Sequence, residues 1–218
     1  MALDIAKGVR MRDCYGRPDL SARALCVWAK TAFSADLNDH RYLRLWQHMR
    51  DTAAISELLW KYAIPEKDKK LLCEDLGGET NAVSVLTFLA MVHDVGKASP
   101  AFEVQNDYFA DRVRESGLHI PSGIAHTKER SQYRHELVGY KALLRWASRQ
   151  KLNTQVGSLA HGLASIVAGH HGTCITDEKK RLLNSYDATT YVGDADWGGG
   201  QDGARRLGCG CDRFSVDD

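Results

Sequence analysis

An all-α protein is predicted, on three observations. The 218 residues include only four prolines. They show no sustained alternation of β-branched residues. Long stretches instead repeat apolar residues at i, i+3, i+4 and i+7, the period of a one-sided helix. A short first helix is expected over 20–32. A second is expected over 43–63, with Leu45, His48, Thr52, Ile55, Leu59 and Tyr62 near one inward face and Pro65 as its stop. A third runs over 80–95, with Val85, Leu86, Leu89, Val92 and His93 inward and Gly96 ending it. The stretch from Asp107 to Gln132 mixes charges with Gly117, Pro121 and Gly123 and reads as an irregular insertion. Helices follow over 132–149, where Val138, Ala142, Leu143 and Trp146 succeed His135, and over 154–170, where Val156, Leu159, Leu163, Ile166, Val167 and His170 share a face.

Beyond Thr189 the apolar period is lost and glycines accumulate at 198–200, 203, 208 and 210. The expected organisation is therefore one helical domain over 1–188 and a loose tail over 189–218. A chain of this length can bury a core without disulfides or a structural metal, so any metal it binds is there for function. No apolar run approaches the roughly 20 residues of a membrane span, and Met1–Arg12 has no apolar centre of a signal peptide. Six cysteines form no CxxC pair, which fits a reducing cytoplasm. Cys209 and Cys211 form a lone CxC that could take a soft metal. The net charge of +1 lacks the positive excess of a free-standing nucleic-acid binder. Affinity for a nucleic acid would have to be local or supplied by a partner. The small basic clusters (Arg10, Arg12, Arg17 and Arg23; Lys67, Lys69 and Lys70; Lys179, Lys180 and Arg181) read as solvated surface.

The histidines carry the chemistry. His48 lies on an inward helix face. His93-Asp94 closes an apolar helix, His135 opens the next long helix, and His170-His171 ends the one after. Each element has a plainer reading: His48 as a core histidine, His135-Glu136 as a surface pair, His170-His171 as a helix cap. Together they put imidazole on four separate helices in the order H…HD…H…HH. Imidazole nitrogen and carboxylate oxygen suit iron, manganese, cobalt, nickel or zinc. A carboxylate with two oxygens, such as Asp94, can bridge two ions, and two ions about 3.5–4 Å apart can hold a phosphate and activate water. Lys97, three residues after Asp94, could neutralise phosphate charge.

Four segments then resemble a known family: Leu45-Trp46-Gln47-His48, the run Met91 to Phe102 with its HD-x-GK-A-S-P-x-F pattern, Arg134-His135-Glu136-Leu137-Val138-Gly139, and Ala168-Gly169-His170-His171-Gly172. They look like the HD nuclease domain of the CRISPR-associated helicase-nuclease of type I systems, over about residues 18–185. The resemblance implies an HD-domain helical bundle around a buried site for two divalent transition-metal ions. It implies cutting of single-stranded DNA, with Asp94 and Lys97 at the reacting phosphate. It also implies a superfamily 2 helicase, as a fused domain or a partner, and a CRISPR surveillance complex that recruits it. Carried over by motif, His48, His93 and Asp94 hold one ion, Asp94, His135, His170 and His171 hold the other, and Lys97 faces the scissile phosphate. Two features depart from the family pattern. His126 lies in the gap before His135 and is a rival ligand, although His-Glu-x-x-Gly surrounds His135. The closing aspartate of the family has only Asp196 as a candidate here, in Ala195-Asp196-Trp197, within a glycine-rich stretch. No helicase motif is present. The alternative is an HD phosphohydrolase acting on nucleotides or other small phosphate esters.

Overall fold

The computed structural model describes residues 20–31 and 41–197. Cys14, Arg10, Arg12, Arg17, Cys209, Cys211 and the tail from 198 onward lie outside the described residues. The described chain is helical, as expected, with one small hairpin added. Helix α1 (Ala22–Cys26) is capped by the Ser21 hydroxyl and is much shorter than the stretch 20–32 allowed. Trp28–Thr31 leaves it as strand β1, which pairs antiparallel with β2 (Tyr42–Arg44). A bulge at Ala29 breaks the register between Trp28 and Lys30. Bulges leave a residue out of the ladder and often lie beside functional sites. Here the Ala29 carbonyl is freed to accept the Lys97 ammonium at 3.1 Å.

Helix α2 spans Leu45–Tyr62 and α3 spans Glu66–Leu76. Pro65 ends the first and caps the second, where Glu66 and Asp68 suit the first turn. Helix α4 (Glu79–Val92) lies along α2, with the Trp60 indole donating to Glu79 Oε1 at 3.0 Å. The packed face of α2 is Met49, Ala53 and Trp60. The predicted face is enclosed only at its start, at Leu45 and His48, and Ile55, Leu59 and Tyr62 further along it are exposed. The two faces are about 100° apart on the helix, and α4 covers only one.

The segment expected to be irregular after Asp107 begins with a regular helix, α6 (Asp107–Glu115), following the single turn α5 (Pro100–Glu103). Asn106 caps α6 by accepting from the Phe109 amide, and Phe109, Ala110 and Val113 bury one stripe. Two 3-10 turns, Ile124–His126 and Glu129–Gln132, lead to α7 (His135–Arg149). Helix α8 (Leu159–Ala168) packs on α7 through Ala164, Val167 and Ala168. Val156, Leu159 and Ile166, also expected inward, are exposed. Helices α9 (Asp177–Leu183) and α10 (Ala188–Val192) close the fold. Of the stretch read as a tail, 189–197 is described and partly packed: Trp197 is 1% exposed, and its indole donates to the His119 carbonyl at 2.8 Å. Among the described residues no helix is long and apolar enough to cross a membrane.

Candidate metal centre

Asp94 follows the last residue of α4 by two positions and is only 4% exposed. Its backbone (φ −101°, ψ 10°) leaves helical space and turns the chain into a 3-10 turn over Val95–Lys97. That turn lies directly on the first turn of α7. A Cβ on Gly96 would sit 1.9 Å from the His135 carbonyl oxygen and 2.4 Å from the Gly139 nitrogen. Only glycine permits this approach, and the approach brings His135 to Asp94. The expectation that Gly96 stops α4 is corrected: the helix has already ended, and the glycine serves backbone contact instead.

Around Asp94 the predicted histidines converge. Oδ2 lies 2.8 Å from His48 Nε2 and 3.3 Å from His93 Nε2. Oδ1 lies 3.1 Å from His135 Nε2 and 3.5 Å from His170 Nε2. His135 Nε2 is in turn 3.3 Å from His170 Nε2 and 3.1 Å from His171 Nε2. Two groups of potential ligands result, His48 with His93 and Asp94, and His135 with His170 and His171. The first is nearly sealed, whereas the second opens outward at exposed His171.

The ring orientations are set from behind. His93 Nδ1 donates to the Ala90 carbonyl at 2.7 Å, and His170 Nδ1 donates to the Val167 carbonyl at 2.6 Å. A carbonyl can only accept, so Nδ1 carries the proton and, in the neutral ring, Nε2 offers a lone pair inward. Several such nitrogens about 3 Å apart would repel without a positive species among them. Ligands bonded to one cation at about 2.0–2.1 Å also lie roughly 3 Å apart. Both the donor set and its spacing fit divalent transition ions.

Burial works to raise the Asp94 carboxyl pKa, but the His135, His170, His48 and His93 imidazoles around it outweigh burial and hold the group well below the usual carboxylate range. The hydrogen bond to Asp94 pushes His170 above the ordinary imidazole value, against burial. Burial and the neighbouring His170 and His135 push His171 below it.

Lys97 is 7% exposed, and its ammonium lies 2.8 Å from Asp94 Oδ2 while donating to Ala29. The side chain expected to face a phosphate thus sits beneath the carboxylate as its counter-charge. Phe102 packs alongside, its ring 5.4 Å from the Lys97 ammonium and 6.0 Å from the His135 ring. His135 joins the cluster, and His126 belongs to neither ligand group. Asp196 does not join it either: its Oδ1 accepts from Arg23 Nη1 at 2.9 Å on a solvated part of the surface. The plainer reading of His135-Glu136 as a surface pair does not hold for Glu136, which is buried at 4% exposure.

Comparison with known proteins gives a consistent result. The family described as "Cas3, HD domain" matches residues 28–206. The chain is 28% identical over 164 residues to "CRISPR-associated nuclease/helicase Cas3" of Streptococcus thermophilus, covering 69% of this chain and 16% of that protein. It is 29% identical over 161 residues to "CRISPR-associated endonuclease/helicase Cas3" of Thermus thermophilus, covering 72% of this chain and 15% of that protein. The chain thus spans about a sixth of the length of these relatives. A solved structure described as "Crystal structure of CRISPR-associated protein" superposes with a TM-score of 0.71 at 26% identity, covering 93% of this chain and 21% of the other.

Proposed function

The chain belongs to the Cas3 HD-domain family, and on that premise we propose that it is a metal-dependent nuclease that cuts single-stranded DNA in CRISPR interference, in the cytoplasm. The observation that carries this reading is one buried carboxylate, Asp94, met by imidazoles from α2, the end of α4, the start of α7 and the end of α8. In this reading His48, His93 and Asp94 hold one divalent transition ion, and Asp94, His135, His170 and His171 hold a second. Bound there, such ions supply Lewis acidity to a phosphodiester and lower the pKa of the attacking water.

The remaining chemistry belongs to the chain. Asp94 offers one oxygen to each ligand group and so couples them. Lys97, fixed by the bulged Ala29 carbonyl, offsets the aspartate charge and keeps the carboxylate from swinging away. The backbone carbonyls of Ala90 and Val167 hold His93 and His170 as Nε2 donors. The exposed His171 marks the side from which a strand would approach. Both curated relatives are named as nuclease and helicase. A helicase, fused or separate, recruited by a CRISPR surveillance complex, would deliver the strand that a net charge of +1 does not by itself attract.

The test uses chelator-stripped protein, circular single-stranded DNA and a nucleotide panel, with added Mn2+ or Co2+. The circle should be cut by the wild type with metal and left intact by Asp94→Asn. Asn is the better variant here, because Ala would leave the Lys97 ammonium buried without its partner. Nucleotide hydrolysis without DNA cutting would move the reading to a small-molecule phosphohydrolase. Cutting in verified metal-free protein would end it.

A further inference from the structure

Two histidines of the centre are held from behind in the same way, and His135 is held by different means. His93 and His170 each anchor Nδ1 on a carbonyl of the preceding turn, Ala90 and Val167. His135 cannot do so. It is the first residue of α7, with no helical turn behind it. Its Nδ1 instead faces Glu136 Oε2 at 3.5 Å. Glu136 is 4% exposed, and its Oε2 is a buried oxygen with no hydrogen-bond partner. Its other oxygen is clamped by Arg134 Nε at 2.6 Å. A buried carboxylate oxygen left unpaired is costly, and a surface ion pair with Arg134 would not require one.

The structure assigns Glu136 as the positioning residue of His135 in the loaded centre, an inference that rests on the metal-centre reading above. The carboxylate accepts the Nδ1 proton of His135, which fixes the tautomer and turns the Nε2 lone pair inward. A carboxylate behind a ligating imidazole also raises its basicity. A second effect follows from charge. Lys97 already offsets Asp94, so an ion held by Asp94, His135, His170 and His171 would otherwise meet little net negative charge. Glu136 supplies the missing negative charge one shell out. Arg134 holds it in place, and its side chain, 62% exposed, leaves that clamp charge partly solvated. Glu136 would therefore act on metal affinity, and it would do so through His135 without touching substrate.

The test separates affinity from stability. Co2+ is titrated into chelator-stripped wild type, Glu136→Gln, Glu136→Asp and Asp94→Asn, read by visible absorption and calorimetry. Melting of each metal-free form is followed by circular dichroism. Glu136→Gln keeps the shape and removes the charge. It should weaken Co2+ binding by about 10-fold or more while the metal-free form melts no lower than wild type. Glu136→Asp keeps the charge but withdraws it by one methylene, and should lose affinity by a smaller factor. Unchanged Co2+ affinity in Glu136→Gln would overturn the assignment. So would a fall in melting temperature that accounts for the lost affinity, since that is what a merely structural residue would show. If wild type binds Co2+ and Asp94→Asn does not, the metal-centre reading stands and Glu136→Gln alone decides. If wild type binds none, both fall.

Discussion

Helix α2 presents His48 to a sealed cluster near its start, but Leu59 and Tyr62 on much the same face are open to solvent near its end. The His48 side chain is 12% exposed, against 49% for Leu59 and 72% for Tyr62. Helix α8 repeats the contrast: His170, just past its end, is held in the cluster, while Ile166 one turn earlier is 57% exposed. Near Asp94, position is dictated by directional contacts and by a backbone approach that only glycine allows. Away from it, position is dictated by which neighbouring helix happens to cover which stripe. A helical period reports that an apolar face exists, but not which of two such faces finds a partner.

The largest expected effect lies at the cluster. Asp94→Asn should reduce DNA cutting to background and abolish Co2+ binding, with a near-normal melting curve. Retained binding would mean that the imidazoles hold metal without the carboxylate, and the contrast between the two ends would lose its cause. Next comes the glycine beneath it. Gly96→Ala puts a methyl 1.9 Å from the His135 carbonyl, so α7 must shift. Overpacking against backbone of this kind costs about 3 kcal/mol or more, and His135 should be displaced with it. A thermal melt and a Co2+ titration would show both losses together.

On α2 the contrast can be tested within one helix. Met49 is fully buried, and Met49→Ala should cost about 2–5 kcal/mol. Ile55 is 54% exposed, and Ile55→Ala should stay within about 0.5 kcal/mol. Equal costs from denaturant melts would restore the face that periodicity predicted.

Two buried carboxylates, nine residues apart, sharpen the comparison electrostatically. Asp94 is surrounded by imidazoles and an ammonium and stays charged. Glu103 is fully enclosed at the end of α5, and burial pushes its pKa well above the ordinary 4.5, opposed only in part by the Trp28 backbone. A carboxyl with a raised native pKa binds its proton more tightly folded than unfolded. The native state is therefore favoured at low pH and loses stability as pH climbs from about 4.5 towards the native value, by up to about 1.4 kcal/mol per pH unit. Glu103→Gln does not titrate, so its stability relative to wild type should rise across that window. A difference independent of pH, from melts between pH 4 and 8, would show that Glu103 is not held protonated.

How much of this was legible in the sequence follows the same division. The His/Asp cluster could be read because its residue types have few other reasons to recur at helix ends, and the six side chains named for it do converge. The long helices could be read because their periods are long. The inward faces of α2 and α8 could not, for the reason their exposed ends now show. Helix α6 was obscured because its cap and apolar stripe are only nine residues long and stand among charges. The β1–β2 hairpin was obscured because its strands, four and three residues long, are too short to alternate. Glu136 was hidden by its neighbour: beside His135 and Arg134 it has the composition of a solvated helix start, and only burial reveals it.

The smallest effect tests whether glycine near a histidine end is always a device of the site. Gly162 lies inside α8 two turns before His170, and a Cβ there would meet nothing within 4 Å. It has no positive φ to protect, since it is absent from the left-handed glycines of this chain. Gly162→Ala should therefore stabilise the protein by about 0.5–1 kcal/mol, through the helix propensity of alanine and a less entropic unfolded chain, and leave Co2+ affinity unchanged. Destabilisation in a thermal melt would mean that something covers that stripe in solution. The exposed end of α8 would then resemble the sealed end more closely than its 57% exposed Ile166 suggests.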